Sequence, residues 1–396
     1  MSARASSPAL RIAHLTATFP PYRGGAGNTA FRFAREQSER GHHVEVFTAP
    51  APGEPPDPGG IEIHRIEPAF AYGNAPLIPA LGRIEGFDIV HLHYPFIFGS
   101  ELTLLGRLRR ARRCQPLLVH YKNRLVAPGP RGALFEAYER TVAPALVRAA
   151  DRVCVLSLDH ADSVSYLRRI RARDPGKLVV MPNGVDTTAF RPGSDAGLRS
   201  RLGVPGDAPL AAFAATLDRA HHFKRLDIAI DGIAQAKAPW HLVVAGGGEL
   251  LDDFRRRARA GGVGERVHFL GAVPHAELPG VLRGADLFLL TTEPPESFGI
   301  VLIEAMASGL ATVASDYPGV RAVVDEGITG LLVPQGDAGA VAAALDRLGG
   351  DPAERGRMGA AGREKAEAEW NWARLTERMD GVYAEAIEAR RAKAGR

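Results

Sequence analysis

Lys177–Pro192 reads KLVVMPNGVDTTAFRP. Its apolar start is strand-like, and Pro182, Asn183 and Gly184 then supply turn residues. One alternating pattern of strands and helices runs up to this stretch, and a second begins after it. Upstream, the strand-like runs are Leu10–Phe19, His43–Thr48, Ile61–Ile66, Phe87–His91, Pro116–His120 and Arg152–Ser157. Helical stretches separate them, among them Asn28–Arg40, Glu101–Arg113 and Leu134–Ala149. Downstream, Leu210–Ala214, His241–Ala245, Val267–Leu270, Leu287–Leu290, Ala311–Ser315 and Gly330–Val333 alternate with helices at Leu226–Gln235, Glu249–Ala260 and Val301–Ala307. Strands that alternate with helices build parallel sheets covered on both faces. The expected fold is therefore α/β, with two doubly wound parallel-sheet domains, residues 1–190 and 191–370. A charged helical tail, Ala361–Ala389, holds Trp370 and Trp372, and residues 371–396 are expected to cross back and rejoin the first domain. Two such domains place a ligand in the cleft between them, at the carboxyl ends of the strands.

A length of 396 residues suits two domains of ordinary size. Apolar residues at 45% and charged residues at 24% are globular proportions and exclude a disordered or fibrous chain. The two cysteines, Cys114 and Cys154, are too few for a disulfide framework. With no apolar run of membrane-spanning length and no signal-like start, a cytoplasmic location is expected. The net charge of +4 is uneven. Residues 1–190 carry 24 Lys and Arg against 17 Asp and Glu, and the remainder 25 against 28. The excess implies either an anionic partner or solvated helix faces. Arg107, Arg109, Arg110, Arg112 and Arg113 lie on one helix, for which an anionic lipid surface is one reading. Its Leu102, Leu104, Leu105 and Leu108 are expected on the core side, so membrane association is not favoured. Nucleic acid is not expected, because the basic residues lack interleaved aromatics. The adjacent His221 and His222 lack metal-ligand spacing.

Glu293–Gly309, EPPESFGIVLIEAMASG, carries the most specific chemistry. Gly299 lets the backbone approach a ligand, and the helix that follows offers free N–H groups and a positive dipole end, where a phosphate fits. Glu304, about one and a half turns in, can accept hydrogen bonds from vicinal hydroxyls such as those of a ribose. Glu296 precedes the loop and can face a sugar. As bare carboxylates the two could equally be a helix-surface group and a helix N-terminal charge.

Glu296-x7-Glu304 with Phe298-Gly299, followed by Ala305-Met306-Ala307-x-Gly309, resembles the signature of retaining glycosyltransferase family 4, which has the GT-B fold of two Rossmann-like domains. Pro20-Pro21-x-x-Gly24-Gly25 resembles its first glycine loop, and Pro182–Asp186 with Phe190 its interdomain seam. Ala245–Gly248 and Phe269-Leu270-Gly271 resemble the strand ends that hold the nucleotide. The resemblance covers nearly the whole chain. It implies retaining transfer of a hexosyl unit from a UDP- or GDP-sugar, with the nucleotide in the second domain and the acceptor on the first. The charge that develops sits on the diphosphate leaving group. Lys224 falls where the family has a phosphate-binding lysine, and Gly24, Gly25 and the amides of Gly299 and Ile300 add donors. Glu304 would bind the ribose, Glu296 the donor sugar, and the Leu270–Val273 backbone the base, beside Gly246. The chain has no Asp-x-Asp metal motif, and this reading requires neither metal nor other cofactor.

The chain departs from the family pattern in three places. Lys122, in LLVHYKNRL, stands where a His is frequent; it is a poor base unless desolvation lowers its pKa. Thr216 replaces an Arg, for which Arg219 or Arg225 could substitute. Ala322 replaces a frequent Glu. Lys122 and Asn123, with His93 and Tyr94 at a strand end, are the candidate acceptor contacts; for His93 and Tyr94 a buried structural role is the alternative. The acceptor group is expected to be a hydroxyl of a small molecule, specialised metabolite or glycan, with a thiol or lipid-linked acceptor as alternative. A catalytically impaired nucleotide-sugar-binding protein is the alternative of another class.

Overall fold

The computed structural model describes residues 8–22, 24–110, 115–127 and 129–394. Its strands are β1 (Arg11–Leu15), β2 (His43–Thr48), β3 (Glu62–Arg65), β4 (Phe70–Tyr72), β5 (Ala75–Leu77), β6 (Ile89–Tyr94), β7 (Leu117–Tyr121), β8 (Arg152–Val155), β9 (Leu178–Val180), β10 (Leu210–Ala214), β11 (His241–Ala245), β12 (Val267–Gly271), β13 (Leu287–Leu290), β14 (Ala311–Ser315) and β15 (Gly330–Val333). The α-helices are α1 (Gly25–Glu39), α2 (Gly99–Arg110), α3 (Pro130–Ala149), α4 (Leu158–Ser163), α5 (Ser165–Arg173), α6 (Ala196–Leu202), α7 (Leu226–Gln235), α8 (Leu251–Ala260), α9 (Leu278–Gly284), α10 (Ile300–Ala307), α11 (Ala338–Gly350), α12 (Pro352–Glu369) and α13 (Trp372–Ala394). They fall into two compact units, one running to Pro182 and resuming at Trp372, the other Asn183–Asn371. The seam segment is thus divided at Pro182-Asn183.

The first unit has a seven-stranded sheet in the order β3-β2-β1-β6-β7-β8-β9, and the second a six-stranded sheet in the order β12-β11-β10-β13-β14-β15. Every pairing within both is parallel. The strands near the middle of each sheet are buried throughout, as parallel strands covered on both faces must be. Small β4 and β5 form an antiparallel hairpin outside the sheets. The tail is two helices and not one. Trp370 caps α12 and is buried in the second unit against Phe298, whereas Trp372 opens α13 and packs on Phe33 of the first.

Helix α2 bears out the core-side expectation for Leu102 and Leu104, which are partly buried against the core, and corrects it for Leu105 and Leu108. Leu105 is exposed and Leu108 is 77% exposed; the buried positions are Gly99, Ser100, Thr103 and Gly106. A Cβ at Gly106 would lie 2.5 Å from the Gly82 carbonyl oxygen, so the helix packs through its smallest residues. Two of its arginines are structural. Arg107 donates to the carbonyls of Gln115 and Ala149 and to Asp151, and Arg110 to the carbonyls of Ile84 and Gly82. Arg112, Arg113 and Cys114 lie outside the described residues.

One face of the first sheet is unusual, because three buried strands each contribute histidine. His14 of β1 pairs in register with His91 of β6, and His93 with His120 of β7. All four are buried beneath α1 and α13. His93 Nε2 lies 2.9 Å from His14 Nδ1, His14 Nε2 lies 2.8 Å from Gln37 Oε1, Gln37 Nε2 donates to Tyr383 Oη at 2.8 Å, and Tyr383 Oη lies 2.7 Å from His91 Nδ1. Donors and acceptors alternate along this chain when each ring is neutral: His93 donates to His14, His14 to Gln37, Gln37 to Tyr383, and Tyr383 to His91. Burial lowers the pKa of His14 to about 4, and burial, followed by the neighbouring imidazoles and Lys122, lowers those of His91, His93 and His120 well below the ordinary value.

Two measurements test this network. Tyr383→Phe leaves Gln37 Nε2 and His91 Nδ1 without their partner and should destabilise the first unit by about 1–3 kcal/mol, read as a lower urea midpoint. Acid should act in the same direction. The folded pKa values lie below 6.5, so the unfolded chain binds more protons, and stability falls as pH drops from about 6.5 toward 4. The slope is about 1.4 kcal/mol per pH unit for each histidine that titrates only on unfolding. A urea midpoint that does not change between pH 7.5 and pH 5 contradicts a neutral cluster.

Candidate active site

Each expected site residue lies at or beyond the carboxyl end of a strand, where open α/β sheets bind ligands. In the first unit Gly24 and Gly25 open α1, His93 and Tyr94 end β6, and Lys122 and Asn123 follow β7. In the second, Thr216, Arg219 and Lys224 follow β10, and Gly246 follows β11. Leu270 lies in β12 with Val273 beyond it, Glu296, Phe298 and Gly299 follow β13, and Ile300 and Glu304 lie in α10.

Two loops of the second unit are fastened together. Arg225, at φ 52°, precedes α7; its guanidinium grips Asp227 and donates to Glu293 Oε2 at 2.7 Å. Glu293 N donates to the Phe223 carbonyl at 2.9 Å, Thr292 Oγ1 to the same oxygen at 3.0 Å, and Thr291 Oγ1 to the Arg225 carbonyl at 2.7 Å. This stitching brings the Lys224 ammonium onto Glu296 Oε2 as an ion pair. Glu296 Oε1 accepts from the amides of Ser297 and Gly299, each at 3.1 Å. Burial alone would raise the Glu296 pKa, but Lys224 and the amides outweigh it and hold the carboxyl below its ordinary value. The Gly299 amide, expected to donate to phosphate, is therefore engaged by Glu296. Gly299 itself has φ 84°, and a Cβ there would lie 2.7 Å from Leu290 Cδ2, which restricts the position to glycine.

Arg225 is committed to Asp227 and Glu293, so of the two arginines considered as replacements at Thr216 only Arg219 stays accessible. Its side chain is 83% exposed, 3.5 Å from Glu249. Gly246 serves close packing, since a Cβ would lie 2.1 Å from the Ala215 carbonyl oxygen. The Phe298 ring is buried against Trp370, which leaves its backbone for any ligand contact. Leu270 and Val273 line an open groove of about 470 Å³, with Pro274, Glu277, Arg201 and Arg283 on its walls.

Glu304 is 4% exposed. His275 Nε2 donates to its Oε1 at 2.7 Å, and Oε2 has no hydrogen-bond partner among the described residues. His275 was not legible as a site residue, because it lies 29 positions away in a loop with no spacing signal.

On the first unit the structure corrects two acceptor contacts. Tyr94 is 1% exposed and points to the sheet face opposite the histidines, where its hydroxyl donates to Glu139 at 2.5 Å and its ring stacks on Tyr121. His93 is buried in the histidine cluster. For both, the buried structural alternative is the one observed, because β6 is a central strand. Lys122 is buried too, and its Nζ has no hydrogen-bond partner among the described residues. Burial lowers its pKa to about 7, with Cys154 opposing that shift. Ring nitrogens of His14, His91 and His93 lie within 4.8 Å of one another, the separation of metal ligands. His14 Nδ1 and His93 Nε2 are hydrogen-bonded to each other at 2.9 Å and His91 Nδ1 to Tyr383 Oη at 2.7 Å, so these nitrogens are already engaged within the network.

Comparison with known proteins agrees with this arrangement. Residues 23–189 match the family described as Glycosyltransferase Family 4, and residues 196–365 match Glycosyl transferases group 1. The D-inositol 3-phosphate glycosyltransferases of Mycobacterium bovis and Mycobacterium tuberculosis are 32% identical over 96% of this chain and 83% of theirs. Among solved structures, a sucrose-phosphate synthase from Thermosynechococcus elongatus has a TM-score of 0.78 at 24% identity, over 96% of this chain and 99% of that one. Anabaena HepE in complex with UDP-glucose has a TM-score of 0.74 at 18% identity, over 95% of this chain and 99% of that one. No helix among the described residues is long and apolar enough to cross a membrane. With two parallel sheets of the GT-B fold and matching motifs along both, the chain belongs to glycosyltransferase family 4 and is a glycosyltransferase.

Proposed function

We propose that the protein transfers a hexosyl unit with retention from a UDP- or GDP-sugar to the hydroxyl of a small molecule, specialised metabolite or glycan. The observation that carries this reading is the meeting of Lys224, Glu296 and the amino end of α10 in one place. A cation and oriented amides stabilise charge on a departing diphosphate, and Glu296 beside them can hold the sugar hydroxyls. In the transfer, the bond from the anomeric carbon to the diphosphate breaks and a bond to the acceptor oxygen forms on the same face. The acceptor proton passes to the leaving phosphate. On this reading Lys224 and the amides turn from Glu296, which holds them in the structure, to the diphosphate and supply the positive charge, so no metal is needed. Similar proteins support a nucleotide-sugar donor and a small polyol acceptor: HepE has been solved in complex with UDP-glucose, and the mycobacterial relatives are D-inositol 3-phosphate glycosyltransferases.

Lys122 and Asn123 are the acceptor-side residues in this proposal. A buried amine without a partner destabilises the fold that keeps it. The reacting proton goes to the phosphate, so the neutral amine serves instead to accept a hydrogen bond that orients the acceptor, and a pKa of about 7 leaves much of it neutral at physiological pH.

Two experiments test the reading. UDP or GDP should raise the Tm of the intact protein, and Lys224→Ala should weaken binding of the same nucleotide by about 10- to 100-fold, the scale of a charge-assisted contact. Absence of any shift with UDP, GDP and ADP contradicts it. Lys122→Met should raise the Tm, because an apolar side chain replaces an unpaired amine, and should lower kcat by about tenfold or more. In the parent protein kcat/KM should rise with pH through about 7, as the amine loses its proton, and this rise should be absent from Lys122→Met.

A further inference from the structure

We infer that His275 caps Glu304 in the ligand-free protein, and that the ribose of a bound nucleotide takes its place. This rests on the proposed ribose role of Glu304 and extends it to a residue that no motif marks.

Glu304 sits on α10 with its side chain 5% exposed, and its Oε2 is both shielded from solvent and without a hydrogen-bond partner among the described residues. A carboxylate in that position is half satisfied. The donor it has among the described residues, His275 Nε2 at 2.7 Å, comes from a side chain that is 66% exposed. Of the two partners, Glu304 lies on a helix packed in the core, and His275 is the more exposed and lies in a loop. A ligand that reaches the carboxylate must therefore move the imidazole. The capped position has a second support, because the His275 ring lies 5.5 Å from the buried Phe190 ring. The residues on either side of His275, Pro274 and Ala276, line the groove of about 470 Å³ to which Leu270 and Val273 also contribute.

A ribose offers two vicinal hydroxyls where His275 offers one N–H. It can satisfy both carboxylate oxygens, including the one left unpaired. The exchange therefore lowers apparent affinity by the fraction of molecules that are capped, and removing the cap returns that fraction.

The test is the affinity of the protein for UDP and for GDP, by calorimetry, in the parent and four variants. His275→Ala should bind the preferred nucleotide about three- to tenfold more tightly than the parent, as expected if the cap is closed in most molecules. His275→Gln keeps an N–H donor and should stay near the parent value. Glu304→Gln should weaken binding, and His275→Ala added to it should bring no gain, because the cap then has no carboxylate to hold. If His275→Ala binds with unchanged or weaker affinity while Glu304→Gln weakens binding, the cap is refuted and the ribose role of Glu304 stands. If Glu304→Gln leaves affinity unchanged, or neither nucleotide binds, the ribose reading itself falls and the cap with it. Because His275 is exposed, its variants should keep the parent Tm without ligand; a loss of more than a few degrees marks a structural role and also refutes the cap.

Discussion

A strand buried on both faces of a parallel sheet has no water with which to solvate a charge, and this constraint organises both halves of the molecule. The same limit extends to the loops just beyond the strands. Every ionisable group there must be neutral, paired, or waiting for a partner. The two units meet this requirement in different ways. The differences mark where chemistry is possible.

In the first unit the answer is neutrality. His14, His91, His93 and His120 stand on one buried face; a single run of hydrogen bonds through Gln37 and Tyr383 fixes the tautomers of the first three without net charge, and His120 Nε2 donates to the Met181 carbonyl. Lys122 is the exception, an amine at the end of β7 with no partner among the described residues. In the second unit the answer is pairing. Glu296 is held by Lys224 and by amides at the amino end of α10, and Glu304 by His275 on one oxygen only. Glu296 thus occupies, in the ligand-free chain, a place suited to an anion. Lys122 and Glu304 are two buried groups left incompletely satisfied among the described residues.

The uneven charge of the sequence acquires a local explanation. Part of the basic excess of the first half is spent on backbone. Arg107 and Arg110 of α2 donate to carbonyl oxygens at the ends of neighbouring segments, and Leu105 and Leu108 are the side chains that face solvent. The helix packs through Gly99, Thr103 and Gly106 because only small residues let it approach the Gly82 backbone. Counting charges along the helix could not distinguish an arginine that caps carbonyls from one that meets an anion.

What could be read from the sequence alone followed from periodicity and short-range spacing. β2, β10, β11, β13, β14, β15 and α7 fall on the residues expected of them, because buried parallel strands are short apolar runs bounded by turn residues. The Glu296–Glu304 stretch was legible because its glycine, helix start and carboxylates are local to one another. The structure decided what depends on residues distant in the chain: the capping of Glu304 by His275, the commitment of Arg225 to Asp227 and Glu293, the inward turn of Tyr94 onto Glu139, and the burial of Lys122 among imidazoles. The physical reason is the same in each case. Residue type and local spacing say what a side chain can do, but its protonation and its partners depend on what the fold packs against it.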